Sequence, residues 1–167
     1  MKRLVRKFIE EYCYYIVKNY LKKYKDFYDV QCEVRDSSSR YIFDIVALSH
    51  TEKLGDIIFE IKYYNHYSGK RIFYDLLDRV KRQNNNNGKK NKLVVLWFSK
   101  EDERKLRKIE DDFYKLAEIE IDGYREDVFF ICIHQHMDNF ERNPIEVLLD
   151  KIIQDKIIQD KIGSDIA

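Results

Sequence analysis

The sequence predicts an α/β protein in which a mixed sheet of about five strands lies between helices on both faces. Apolar residues recur at helical spacing in some segments, while β-branched and aromatic residues form alternating or continuous runs in others. The second half of the chain then alternates helix with strand, as in sheets that carry helices on both faces. A length of 167 residues suits one domain. We therefore predict a single domain, with a core over about residues 1–135 and a helical tail over about 143–163.

The first helix is predicted over residues 4–25. Its apolar side chains recur every three or four positions and form one stripe. Glu11 falls nearly opposite this stripe on a helical wheel, and Glu10 falls at its edge, where a carboxylate can be half buried. The stripe consists of Val5, Ile9, Cys13, Ile16, Val17, Tyr20 and Leu21.

Three strands are predicted next, over residues 28–34, 40–48 and 56–64. The run of Asp36 and three serines is typical of a turn between the first two strands. A polar connection joins the second strand to the third, and this arrangement favours an antiparallel hairpin.

The later elements alternate helix and strand, which gives the predicted order αβββαβαβα. They are a helix over 70–83, an asparagine-rich loop over 84–91, a strand buried on both faces over 93–98, a capped helix after Ser99, a strand over 128–133 and a last helix that begins at Asn143-Pro144.

The residues most informative about function lie on the predicted hairpin. Residues two apart in a strand face the same way, so Glu60 and Lys62 project from one face. An acid and a base inside an apolar strand are costly to bury unless they are paired or bind a metal. Asp44, also flanked by apolar residues, lies on the preceding strand, where its carboxylate can reach Glu60. Two carboxylates with room for water suit Mg²⁺, and Lys62 beside them would orient or deprotonate an attacking water.

Asp44, followed across a hairpin by Glu60-Ile61-Lys62, resembles the motif of the PD-(D/E)xK nuclease superfamily, which has the restriction-endonuclease-like fold. The predicted order of helix, three strands, helix and strand over about residues 1–100 is similar to that family as well. Phe43 stands where the family usually has a proline.

The resemblance implies further site residues. It places a glutamate of the first helix near the metal, which maps onto Glu10, with Glu11 as the alternative. It adds the backbone carbonyl of Ile61 as a metal contact beside Asp44 and Glu60. The helix after the third strand often contributes a basic or amide residue in this family, and the candidates here are Lys81, Arg82 and Gln83 near its end or Lys70 and Arg71 at its start.

The function implied by the resemblance is a Mg²⁺-dependent nuclease that hydrolyses phosphodiester bonds, with Mn²⁺ as a substitute and DNA favoured over RNA. One alternative is a catalytically decayed fold that still binds nucleic acid. Another is an accessory subunit that contacts a partner protein through the repeated Asp-Lys-Ile-Ile-Gln of the tail. A homodimer is a further alternative, because two sites are needed to cut both strands of a duplex.

The net charge of +1 argues at first against a nucleic-acid partner, but the charges are segregated along the chain. Residues 1–25 hold eight Lys and Arg against two acids, and residues 79–100 hold seven against none. Residues 101–127 hold eleven acids and six bases. We therefore expect nucleic acid to contact Lys81, Arg82, Gln83, Lys89, Lys90 and Lys92.

The composition also bears on location. Three scattered cysteines argue against a disulfide framework. No apolar run approaches the roughly 20 residues of a membrane helix. No targeting signal is recognisable at the N-terminus, so we expect a cytoplasmic protein.

Overall fold

The structure, a computed structural model, describes residues 2–35, 41–51, 54–63, 70–134 and 143–153. Its elements follow the predicted order, with one short helix, before the last strand, that was not predicted. They are the helix α1 (Lys2–Leu21) with a 3₁₀ turn after it (Lys22–Tyr24), the strands β1 (Tyr28–Arg35), β2 (Ile42–Ser49) and β3 (Ile57–Tyr63), the helix α2 (Arg71–Asn87), the strand β4 (Lys92–Ser99), the helix α3 (Glu103–Glu120), the short helix α4 (Tyr124–Asp127), the strand β5 (Val128–His134) and a last helix, α5, over 144–153.

Two predicted boundaries were wrong. The first α-helix ends at Leu21, and the chain continues as the 3₁₀ turn. The helix α2 runs through the asparagine-rich segment that was predicted to be a loop. It ends only at Gly88, whose φ of 66° lets its N–H reach the carbonyl of Asn84 at 3.1 Å. The predicted turn at 36–39 and the second copy of the tail repeat lie outside the described residues.

The five strands form one mixed sheet in the order β1-β2-β3-β4-β5. The strands β1, β2 and β3 are antiparallel neighbours, which confirms the predicted hairpin. The strands β4 and β5 then run parallel to β3, because α2 and α3 carry the chain back across the sheet between them. As predicted for a strand covered on both faces, every residue of β4 is buried.

Each face of the sheet carries its own core. On one face, α1 and α5 pack against alternate residues of the sheet, among them Ile45, Phe59 and Ile61. On the other face, α2 and α3 pack against Phe43, Ile58 and the intervening strand positions. This arrangement is the predicted sheet with helices on both faces. No helix in the described part of the chain is both long and apolar enough to span a membrane.

The end of the sheet where β3 and β4 begin is held by buried polar contacts. Lys92 is 3 % exposed and donates to Asp127 Oδ1 at 3.0 Å and to the carbonyl of Glu126. Gly55 packs directly against the segment before β4, so a Cβ there would lie 1.8 Å from the carbonyl oxygen of Lys90. These contacts hold the starts of β3 and β4 to each other and to the segment before β5.

Candidate functional site

The site begins where β2 and β3 separate. Their paired residues extend only as far as Ile45 and Phe59. Beyond that point the N–H of Ile61 donates to the side chain of Asp44, at 2.7 Å from Oδ2, in place of a ladder hydrogen bond. The aspartate therefore holds the two strands apart and places its carboxyl group in the gap between them.

An irregularity in the strands gives Asp44 its direction. Side chains along a regular strand alternate between faces. Here Phe43 and Val46 both pack on the side of α2, three positions apart, so the alternation breaks between them. Asp44 lines a cavity beside α1. In β1, Glu33 lies between the partners of Ile45 and Phe43 and has a φ of 52°. A non-glycine residue at positive φ is uncommon and marks a local distortion of the edge strand.

Glu60 is the most deeply buried carboxylate of the site, at 1 % exposure. Its Oε2 accepts a hydrogen bond from the Tyr41 hydroxyl at 3.1 Å and lies 3.7 Å from Lys62 Nζ. Its Oε1 is buried and has no hydrogen-bond partner among the described residues. The predicted shared face of Glu60 and Lys62 is therefore confirmed, and one carboxylate oxygen is left to bind another group.

The electrostatics of the carboxyl pair follow from burial. Burial and, after it, the neighbouring carboxyl group of Asp44 together raise the pKa of Glu60 to about 8, against the opposing effect of Lys62. Burial also raises the pKa of Asp44, while the hydrogen bond from Ile61 and the charge of Lys62 act in the opposite direction. Two adjacent carboxyl groups with raised pKa values are short of positive charge, and a divalent cation would supply it.

Two residues that sequence reasoning missed complete the wall behind Glu60. Tyr41, just before β2, donates to the glutamate, and the guanidinium carbon of Arg79 lies 3.1 Å from the centre of the tyrosine ring. Burial lowers the pKa of Arg79 to about 10, and its Nη1 has no hydrogen-bond partner in the described part of the chain. A signal existed in the sequence, because Arg79 interrupts the apolar stripe of α2 between Leu76 and Val80.

The first-helix glutamates both line the cavity that reaches Asp44, which has a volume of about 730 Å³. Glu10 is half buried, and its charge is one of the causes that raise the pKa of Asp44. Its Oε1, however, pairs with Arg6 Nε at 2.8 Å. Glu11 is exposed at the same cavity. The structure thus brings Glu10 near the pair but does not join it to the pair.

The basic residues predicted to bind nucleic acid lie elsewhere and are already paired. On the paired strands β3 and β4, Lys62 lies beside Trp97 and Lys92 lies beside Ile57. The two lysines are therefore five strand positions, or about 17 Å, apart. The ion pairs are those of Lys81 with Glu120, Arg82 with Asp78, Lys89 with Asp56, Lys90 with Asp127, and Lys92 with Asp127.

These positions correct the predicted interface. Lys89, Lys90 and Lys92 do not border the carboxyl pair, and the buried Lys92 is no candidate for a phosphate contact. The helix contribution from Lys81, Arg82 or Gln83 stays a prediction, and another residue of α2, Arg79, contacts Tyr41 beside Glu60. The earlier candidates Lys70 and Arg71 are exposed at the start of α2.

The carboxyl pair is compatible with magnesium. Mg²⁺ is usually held by one or two protein carboxylates together with waters and substrate phosphates. Asp44 and the free Oε1 of Glu60 meet that description. Within the described ranges, no group of three or more Asp, Glu, His or Cys side chains is placed to hold a metal ion. The pair would therefore depend on water and substrate for its remaining ligands.

Comparisons with known proteins add no identification. No protein-family model matches this chain, and no curated protein matches its sequence significantly.

Proposed function

We propose that this protein is a metal-dependent nuclease of the PD-(D/E)xK type that hydrolyses phosphodiester bonds, with DNA as the favoured substrate. The observation that carries the proposal is the buried Glu60, whose Oε1 has no partner among the described residues, beside Asp44 in the gap between two strands. Its counter-charge is the ammonium group of Lys62, 3.7 Å away, which also acts on Asp44, and a bound cation would offset the remaining cost of burying the two carboxylates.

Asp44 and Glu60 would hold the metal, with the backbone carbonyl of Ile61 as a further ligand and Glu10 close by. Mg²⁺, or Mn²⁺ in its place, would polarise a phosphoryl oxygen and lower the pKa of a water molecule. The N–H of Ile61 keeps the Asp44 carboxylate oriented, because it donates to one of its oxygens. Tyr41 does the same for Glu60.

Lys62 supplies the positive charge of the site. Its ammonium group lies 3.7 Å from Glu60 Oε2 and retains some access to solvent, with 16 % of the side chain exposed. A phosphate that approached the carboxyl pair from the solvent side would meet this ammonium group. Lys62 would therefore offset the negative charge that develops on the phosphate during hydrolysis and would orient the attacking water.

The test is cleavage of plasmid, single-stranded DNA and RNA with Mg²⁺, with Mn²⁺ and with EDTA. Asp44→Ala and Lys62→Ala should each lower Mg²⁺-dependent cleavage at least about a hundredfold, because each removes a charge that acts on the reacting phosphate. Asp122→Ala and Lys115→Ala, which change exposed residues of the same types at the end of α3 and on its surface, serve as controls. Undiminished cleavage by both site variants would sink the assignment.

One observation favours a second candidate, a decayed nuclease fold that binds nucleic acid without cutting it. Glu10, the expected third acidic residue, is held by Arg6, and no three-residue metal group is formed by the described residues. Calorimetry separates the two candidates. Binding of Mg²⁺ or Mn²⁺ that is lost in Asp44→Ala supports the nuclease, whereas nucleic-acid binding without metal binding supports the decayed fold.

We further propose a cytoplasmic setting. The three cysteines are free thiols, and Cys13 is buried in the core beneath α1. Free thiols of this kind suit a reducing compartment.

A further inference from the structure

A second cavity continues the site along α1. The cavity that reaches Asp44 is lined by residues 3–14 of the helix. A cavity of about 400 Å³ lies against residues 15–25 and the start of β1. The linings follow one another along the helix, so the two cavities lie end to end between α1 and β1. We call this surface the α1–β1 groove.

The groove differs in charge from one end to the other. At the site end, carboxylates lie among Arg3, Arg6 and Lys7. At the far end, the lining contains three lysines, Lys18, Lys22 and Lys25, and a single acid, Asp29. The far end therefore attracts negative charge, whereas the site end combines carboxylates for a metal with cations for a phosphate.

The three lysines of the far end are available to a ligand. All three are exposed, and none forms an ion pair with another described residue. The lysines and arginine of the segment 81–92 are instead paired with carboxylates of their own fold. An unpaired surface lysine can neutralise a phosphate without first losing an internal ion pair. The groove is therefore the better phosphate-binding surface.

Tyrosines lie among these lysines. Tyr15, at the junction of the two cavities, is 69 % exposed. Tyr14 lines the site end, and Lys18 Nζ lies 5.5 Å from the centre of its ring. Aromatic side chains beside a basic track are typical of surfaces that bind single strands, because unpaired bases stack on the rings. Base pairs in a duplex hide those faces.

The groove leads to the candidate metal site. The 20 residues of α1 span about 30 Å, with the unpaired lysines near one end and Asp44 opposite the other half. The strand β1 forms the other wall, and among the described strands it lies at the edge of the sheet and pairs with β2 alone. A strand laid along α1 would pass from the lysines to Asp44.

We propose that the α1–β1 groove binds a single strand of nucleic acid, with Lys18, Lys22 and Lys25 on its phosphates and Tyr15 against a base. The inference rests on the proposed function for what happens at the site end, but binding at the lysine end needs neither metal nor catalysis. The bound strand would reach the site as a single-stranded end, flap or gap.

The experiment measures binding with catalysis disabled. Fluorescence anisotropy in EDTA measures the affinity of the full chain for a labelled single DNA strand and for the same strand in a duplex. The strand has about 15 nucleotides, near the upper end of single-strand site sizes. The triple variant K18E/K22E/K25E should bind the single strand at least about tenfold more weakly at moderate salt. Its plot of log affinity against log salt should be shallower by about 2, because each lost phosphate contact on a single strand contributes about 0.7.

The matched control is K105E/K108E/K115E, which reverses three exposed lysines on α3, on the other face of the sheet. It should bind like the wild type. Circular dichroism checks that both triple variants fold, and K18Q/K22Q/K25Q, which removes the charge without reversing it, should show a smaller loss in the same direction. An RNA strand bound as tightly as DNA supports the groove equally, since both carry phosphates and bases.

Two outcomes would overturn the inference: an unchanged affinity and salt slope in K18E/K22E/K25E, or tighter binding of the duplex than of the single strand. Failure of the proposed function gives a different pattern. A wild-type chain that never cleaves with Mg²⁺, yet binds the single strand through these lysines, refutes the nuclease and leaves the groove in place.

Discussion

The protonation of Glu60 should make the stability of the metal-free protein fall as pH rises. Burial raises the pKa of this carboxyl group from 4.5 to about 8, so the folded state favours its protonated form. The stabilisation is therefore complete below the unfolded pKa and is lost as pH rises through the folded pKa. The full difference between the two pKa values corresponds to roughly 5 kcal/mol.

The isosteric substitution Glu60→Gln isolates this effect. Between about pH 5 and pH 8, the wild type in EDTA should lose about 3 to 4 kcal/mol of unfolding free energy through this group. The glutamine variant does not ionise there and should lose much less. Urea denaturation followed by circular dichroism at several pH values measures the difference. Glu118→Gln, which changes an exposed glutamate on α3, should keep the profile of the wild type.

A divalent cation should reverse the loss. At about pH 8, added Mg²⁺ or Mn²⁺ should raise the unfolding free energy of the wild type, because an ion that binds only the folded protein stabilises it. Glu60→Gln should gain little. If the unfolding free energies of the wild type and Glu60→Gln changed with pH in parallel, the glutamate would not be desolvated as described. That result would also refute the electrostatic argument for the metal site.

Three further substitutions test the contacts around the site and at the far end of the sheet. Tyr41→Phe removes the hydroxyl that binds the buried glutamate and should lower the unfolding free energy by about 1 kcal/mol in urea. Lys92→Ala removes the buried partner of Asp127, which then keeps only the exposed Lys90, and should cost about 3 kcal/mol, measured as a lower urea midpoint. Gly55→Ala places a methyl group against the carbonyl oxygen of Lys90 and should lower the thermal midpoint through a loss of about 2 to 3 kcal/mol.

Each of these has a control or a contrary result. Lys81→Ala breaks a half-exposed ion pair and should change stability by no more than about 0.5 kcal/mol. A Lys92→Ala variant as stable as Lys81→Ala would contradict the buried ion pair. Full stability of Gly55→Ala would show that the backbone before β4 can move away.

The fold was largely predictable because the local spacing of apolar residues indicates where each helix and strand lies. Glu60 and Lys62 project from one face of β3, as predicted, and Phe59 and Ile61 project from the other into the core beneath α1. The continuous apolar run of β4 is buried throughout. The end of α2 was missed, because it depends on the left-handed Gly88 and not on the asparagines before it.

The site was predictable only in part. Asp44, Glu60 and Lys62 stand out because charges inside apolar strands are costly unless something offsets them. Tyr41 and Arg79 were not expected, because they meet only when α2 folds back over β2. The break in alternation that turns Asp44 toward α1 is likewise a property of the paired strands and not of its own sequence.

The sequence by itself determined the order of the elements, the two-sided sheet and the carboxylates of the candidate site, because side-chain periodicity and the cost of burying charge act residue by residue. Only the tertiary structure decided which basic residues are available to a ligand. The partners of Lys81 and Lys92 lie more than thirty residues away in the chain, at Glu120 and Asp127. A basic segment in the sequence is therefore neutralised in space, whereas Lys18, Lys22 and Lys25 at the end of α1 and just after it form no ion pair with another described residue.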